Sequence, residues 1–158
     1  MNSAANIGFL LEDFRNYGAQ TAVIWKDQAV TYTHILDRII FWREKFQKRY
    51  ASKIVGLESD FSPETIAMLF ALIDANAIVV PFDILHSEKN QKKYGIAQLD
   101  ALIRIREENK PEFVDFTDTQ AKNPLYNSIL TGSKPGLVLF TSGSSGEPKG
   151  ALHDFQKL

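Results

Sequence analysis

The residues best placed to do chemistry lie between positions 137 and 150, LVLFTSGSSGEPKG. An apolar run, Leu137–Phe140, passes directly into Thr141-Ser142-Gly143-Ser144-Ser145-Gly146, whose side chains offer only hydroxyls or hydrogens as functional groups. Glycines at 143 and 146 allow backbone conformations in which successive N–H groups converge into an anion-binding nest. The hydroxyls of Thr141, Ser142, Ser144 and Ser145 add donors without bulk, and Lys149 supplies a compact positive charge. The set suits the cradling of a polyphosphate, and a strand end feeding such a loop is where open α/β sheets place ligands. A Ser/Gly linker is the plain alternative, but linkers seldom follow a tight apolar strand and finish in Pro-Lys-Gly.

Other phosphate and nucleophile signatures fit worse. A G-x-x-x-x-G-K-[ST] loop would need Gly at 148 and Ser or Thr at 150, where the chain has Pro148 and Gly150. G-x-G-x-x-G and G-x-S-x-G are both missing, which argues against a dinucleotide fingerprint and a serine-hydrolase elbow. With no cysteine, disulfides, thiolate metal sites and cysteine catalysis are excluded, and the three histidines, His34, His86 and His153, are too scattered to predict a metal site. The 158 residues balance 18 basic against 19 acidic side chains, and a net charge of −1 leaves no basic excess for general nucleic-acid binding. Ile66–Phe82, the most apolar stretch, is 17 residues long and carries Asp74 and Asn76. A membrane span needs about 20 apolar residues, so a buried helix followed by a buried strand is expected instead. No signal peptide is visible, and a cytoplasmic location is the default expectation.

The elements that would position the loop follow from periodicity. Ile7, Leu10, Leu11 and Phe14 form the stripe of a short helix ended by Gly18. TAVIW (21–25) and QAVTY (28–32) read as a hairpin around Lys26-Asp27, and Thr33 as the cap of a helix with Leu36, Ile39, Ile40 and Phe46 on one side. KIVGLES (53–59) reads as a buried strand. Ser62-Pro63 is the strongest helix start in the chain, Asn76 is placed to end that helix in the left-handed conformation, and AIVVPF (77–82) resumes as a strand. Strand, helix and strand with little loop between them predict a parallel βαβ unit. SEKNQKKYGIAQL (87–99) reads as a solvated surface helix, its Lys89, Lys92 and Lys93 a charged face rather than an anion site. ALIRIR (101–106) alternates like a half-exposed strand, and with PEFVDFTD (111–118) it predicts a second hairpin across EENK; 117–128 reads as a polar loop.

Phe140–Gly150, FTSGSSGEPKG, resembles the phosphate-loop signature of adenylate-forming enzymes: acyl-CoA synthetases, peptide-synthetase adenylation domains and firefly-type luciferases. Val30-Thr31-Tyr32 before an amphipathic helix, and the 62–83 helix and strand with Val80-Pro81, resemble further segments of that family. The chain departs from it at His34, where the family usually has Glu, and at Asn76, where it usually has Gly. Asp154 and Phe155 stand where the family often has Ser or Thr followed by His. His153 falls two positions early and reads as a structural residue.

The resemblance implies an α/β class: a partial three-layer fold with a mainly parallel sheet of βαβ units plus β-hairpins, like the N-terminal subdomain of those enzymes. Residues 1–158 would be the N-terminal part of a large AMP-binding domain, Met1 its genuine start, with the rest of that domain and a C-terminal domain missing. A new helix would begin at Asp154. The parent enzyme would be an ATP-dependent acid–thiol ligase that joins a small-molecule carboxylic acid to AMP and then to CoA or a carrier-protein thiol. Thr141, Ser142, Gly143, Ser144, Ser145, Gly146 and Lys149 would bind the ATP phosphates, with Mg2+ held mainly by segments outside the chain. No catalytic residue and no metal ligand is assigned. The chain alone is expected to be inactive and to self-associate through apolar surface. A stand-alone ATP-binding module, a split-enzyme half and a non-enzymatic interaction domain are the alternatives.

Overall fold

The computed structural model describes residues 7–106, 110–117, 122–142 and 147–158, apart from the side chains of His86, Ser87 and Ser142. Helix α1 (Gly8–Tyr17) buries Leu11 and ends with the Gly18 N–H on the Phe14 carbonyl. Strands β1 (Thr21–Trp25) and β2 (Gln28–Thr31) form the expected hairpin. Its two turn residues, Lys26 and Asp27, take φ of 48° and 61°, so the turn is left-handed at both positions without a glycine. Helix α2 (Tyr32–Tyr50) is capped by Thr31, whose hydroxyl accepts the His34 N–H, and not by Thr33. The cap moves because the strand ends at Thr31 with extended backbone, the conformation an N-cap needs.

The larger sheet begins with β3 (Ile54–Ser59), buried along its whole length. Helix α3 (Pro63–Asp74) starts as its sequence dictates, with the Ser62 hydroxyl accepting the Thr65 N–H and Pro63 in the first turn. Asn76, at φ 59°, makes the left-handed exit, and β4 (Ile78–Asp83) returns parallel to β3. Helix α4 (Ser87–Ala97) leads to β5 (Ala101–Ile105), which pairs parallel on the other side of β3. Alternation predicts a half-exposed β5, yet it is buried except at Arg104. The reason is that this cation is neutralised inside the fold by Glu58 and so does not need water. Strand β6 (Pro111–Asp115) completes the hairpin expected with β5. The region expected as loop holds a 3-10 turn at Pro124–Tyr126 and a short helix, α5 (Asn127–Leu130), pinned by buried Tyr126 and Ile129.

Strand β7 (Gly136–Ser142) pairs parallel to β4, and β8 (Pro148–Asp154) runs back antiparallel to it. The helix expected at Asp154 is replaced by this strand and a 3-10 turn, Phe155–Lys157, in which the Asp154 side chain still caps, accepting the Gln156 N–H. The order is β6-β5-β3-β4-β7-β8, a parallel centre with an antiparallel strand at each edge. Alternate residues feed two cores. Val55, Leu57, Val79 and Ile103 pack under α1, α2 and α3, while Ile54, Ile78, Val80 and Leu102 pack with Ala97, Tyr126 and Ile129 on the other face. The result is the three-layer α/β arrangement expected. Among the described residues no helix is long and apolar enough to cross a membrane.

Candidate functional site

The parallel strands β3, β4, β5 and β7 end on one edge of the sheet, and the chemistry-bearing segment leaves from that edge. Strand β7 carries the chain through Thr141 to Ser142, β8 begins at Pro148, and the two strands pair as a hairpin. Its register sets Thr141 opposite Lys149 and Ser142 opposite Pro148. Paired residues share a face, and Leu137 on the same face packs into the α3-side core, so Thr141 and Lys149 lie on the α3 side near the end of the paired strands. Both are exposed, and among the described residues Lys149 has no ion-pair partner. Gly143, Ser144, Ser145 and Gly146 lie outside the described residues. Gly150 stands opposite Phe140, where a Cβ would come within 3.2 Å of Val138 Cγ1, so the smallest residue lets the hairpin lie close. His153 is half-buried opposite Leu137, a place in the sheet consistent with a structural residue.

The other face of the hairpin meets α4. Phe140 packs against Phe82, with ring centroids 5.9 Å apart, and Phe82 meets Tyr94 edge-on at 5.0 Å. Lys92 Nζ lies 2.5 Å from Glu147 Oε2, and Lys93 Nζ stands 5.9 Å from the Phe140 ring. Below them lies a group that sequence reasoning misses. Glu58, fully buried in β3, accepts from Arg104 Nε at 2.7 Å, from Asn90 Nδ2 at 3.1 Å and from the Tyr94 hydroxyl. Asn90 also donates to the Asp83 carbonyl at 2.8 Å. The hydrogen bond to Glu58 raises the Arg104 pKa further, and burial, assisted by the bond to Glu58, pushes the Tyr94 hydroxyl up to about 12. The one signal in the sequence is Glu58, a carboxylate directly after the apolar Ile54–Leu57 run of an expected buried strand.

A cleft of about 1190 Å³ opens on the same sheet edge. Leu57 and Ser59 of β3, Leu69 of α3, Pro81 of β4, Ile105 of β5 and Trp25 of the small hairpin line it. The Ser59 hydroxyl is tied to Thr65 at 2.5 Å, and Thr65 to Ser62 at 2.9 Å, which closes the wall between β3 and α3. Among the described residues no three His, Asp or Glu side chains gather as a metal cage.

This layered sheet, with Thr141 and Lys149 paired at its carboxyl edge, has the fold of the N-terminal subdomain of adenylate-forming enzymes. The N-terminal subdomain of NpsA from Klebsiella oxytoca, solved in complex with 3-hydroxyanthranilyl-AMSN, superposes with a TM-score of 0.66 at 20% identity, over 92% of this chain and 39% of that one. The inhibitor-bound N-terminal domain of FACL13 from Mycobacterium tuberculosis gives 0.65 at 16% identity, over 95% and 44%. In sequence the chain is 30% identical over 151 residues to bacitracin synthase 3 of Bacillus licheniformis and 31% identical over 144 residues to bacitracin synthase 2 of the same organism. Each alignment takes in 84% of the chain but only 2% and 5%, respectively, of the synthases. No family model matches the chain. In fold and sequence together, the chain matches an N-terminal fragment of an AMP-binding, adenylate-forming enzyme.

Proposed function

We propose that the chain supplies the phosphate-binding part of an ATP-dependent ligase that activates a carboxylic acid. The observation that carries this reading is the β7–β8 register, which sets Lys149 opposite Thr141 where β7 reaches the carboxyl edge of the parallel sheet. A carboxylate is a poor electrophile. In the reaction proposed, its oxygen bonds to the α-phosphorus of ATP, the bond to the β-phosphate bridge breaks, and pyrophosphate leaves with the charge. The 141–149 segment holds the β- and γ-phosphates through N–H groups, the hydroxyls of Thr141, Ser142, Ser144 and Ser145, and the Lys149 ammonium. Mg2+ would supply further charge neutralisation, and no described residue of this chain is assigned to hold it. The acyl group then passes to a thiol, of CoA or a carrier protein; similarity to peptide-antibiotic synthases favours the carrier protein. A cytoplasmic setting suits ATP chemistry.

The experiment is titration of the chain with MgATP. Lys149→Ala removes a charge-assisted contact of about 1.5–3 kcal/mol, so affinity should fall about ten- to 150-fold. Unchanged affinity would overturn the reading. The isolated chain, which covers about two fifths of the matched structures, is expected to bind nucleotide without exchanging pyrophosphate into ATP. Phe9, Ile24, Phe61 and Leu85 are exposed large apolar side chains that would favour self-association.

A further inference from the structure

The cleft at the carboxyl edge of the sheet has an apolar interior and a charged mouth. The sheet contributes Leu57, Pro81 and Ile105 to its lining, α3 contributes Ile66 and Leu69, and the small hairpin contributes Trp25. Ser59 and Thr65 bring hydroxyls, but these are hydrogen-bonded to each other at 2.5 Å. The charged residues of the lining are all exposed. Lys26 stands in the turn of the small hairpin, while Arg106 follows β5 and Lys110 precedes β6, next to the Ile105–Pro111 pair. Two acids, Asp60 and Asp83, complete the mouth, and both are engaged. Asp60 Oδ1 accepts from the Ser59 hydroxyl at 3.4 Å, and Asp83 Oδ1 from the Leu85 N–H at 2.8 Å. Among the described residues neither Lys26 nor Arg106 pairs with a carboxylate. The uncompensated charge at the mouth is therefore positive.

We infer that this cleft binds a carboxylic acid with an apolar aliphatic or aryl body and no ammonium group, and that this is the acid the proposed ligase consumes; the second half rests on the phosphate-loop reading above. The body of such an acid leaves water for Leu57, Leu69 and Ile105, while its carboxylate stays at the mouth beside Lys26 and Arg106. An α-amino acid fits worse. Its ammonium, one carbon from the carboxylate, would lie against the same two cations, and the acids that could balance it already accept hydrogen bonds from Ser59 and Leu85. A polyphosphate would find no free donors in the apolar interior. The position of the cleft agrees with the ligase reading. Leu57 pairs with Pro81 and Val79 with Leu137, so the cleft shares the α3 face of the sheet with Leu137, Thr141 and Lys149. Strands β4 and β7 are neighbours, so a bound acid and a phosphate on Thr141 and Lys149 occupy one edge and one face, as two reactants must.

Phenylpropanoate, phenylpropanol and phenylalanine share a carbon skeleton and differ in polar group, and each is titrated into the chain while backbone amides are followed by NMR. Phenylpropanoate should shift the amides of Trp25, Ser59, Leu69 and Ile105. Phenylpropanol should bind about fivefold more weakly, the upper range for an exposed ion pair, and phenylalanine about tenfold more weakly. Lys26→Ala combined with Arg106→Ala, both at exposed positions, should bring the acid down to the affinity of the alcohol. The site is overturned if phenylpropanoate leaves those amides unmoved. Recognition of the carboxylate is overturned if the alcohol binds within about twofold of the acid, or if the double variant binds the acid as the unsubstituted chain does. Phenylalanine binding as tightly as phenylpropanoate overturns the substrate class. Lining amides that shift on dilution of the chain alone place a second copy in the cleft and overturn the assignment as well. MgATP separates the two levels. If Lys149→Ala weakens MgATP binding but the acid does not bind, only the cleft assignment falls; if the acid binds and Lys149→Ala leaves MgATP unchanged, the phosphate-loop reading falls, and with it the role of the acid as ligase substrate.

Discussion

Glu64 sits in the first turn of α3, where a carboxylate complements the helix dipole, and α2 offers it three donors. Arg38 reaches it through Nε at 2.8 Å and Nη2 at 2.5 Å, and Trp42 Nε1 at 2.7 Å. Burial alone would raise this carboxyl, but the bonds from Arg38 and Trp42 outweigh it and hold the pKa below its ordinary 4.5. A lowered folded-state pKa contributes stability above the unfolded value and loses it as pH falls through the folded one. Glu64→Gln should therefore cost about 1–2 kcal/mol at pH 7, and the gap in urea midpoints should narrow as pH drops below 4.5. Tyr50 presents the opposite case: its hydroxyl is buried with no hydrogen-bond partner among the described residues. Tyr50→Phe removes a desolvated group and keeps the ring against Phe46, so stability should rise by about 0.5–1 kcal/mol in a thermal melt. Burial raises the Tyr50 pKa from 10.0 to about 12, so the wild type sheds stability across that alkaline interval and the variant should shed less.

At the scale of elements, β3 depends on one small residue. A Cβ at Gly56 would stand 2.7 Å from Leu99 Cδ1, 2.9 Å from Leu102 Cδ1 and 3.1 Å from Phe82 Cε2. Gly56→Ala should cost about 1–3 kcal/mol through overpacking, visible as a lower urea midpoint with an unchanged slope. Elements whose signals are local were legible in the sequence. Ser62-Pro63 starts α3, Asn76 ends it, and Trp25-Lys26-Asp27 turns the small hairpin because those residues act on their own backbone. Elements settled by distant partners were not. The β5 alternation misleads because Arg104 finds Glu58, 46 positions away, and α5 forms because Tyr126 donates to the Ala97 carbonyl. Strand β8 is hidden behind Pro148 and Gly150, residues that disfavour strands yet are tolerated on an edge. In the candidate site, Thr141 and Lys149 could be named from sequence, but that a hairpin sets them face to face could not.

Across the whole molecule, the Glu58 clasp joins β3, α4 and β5 in one buried contact. A buried pair is weak support for stability against an apolar replacement, yet breaking it strands a charge. Arg104→Met should cost about 3–5 kcal/mol in chemical denaturation, and adding Glu58→Leu should restore only part of the loss, because Asn90 and Tyr94 then lose their shared acceptor. The seam between β4 and β7 gives the sheet a different property. The two strands are in register only at Ile78–Gly136 and Val79–Leu137, whereas β8 follows β7 along its full length. The hairpin can therefore form from neighbouring chain and dock late, and it can part from β4 without first coming apart itself. Amide protons in β7 and β8 would then exchange as one cooperative unit ahead of those in β3 and β4, so that Thr141 and Lys149, the proposed phosphate contacts, belong to the least anchored part of the native sheet.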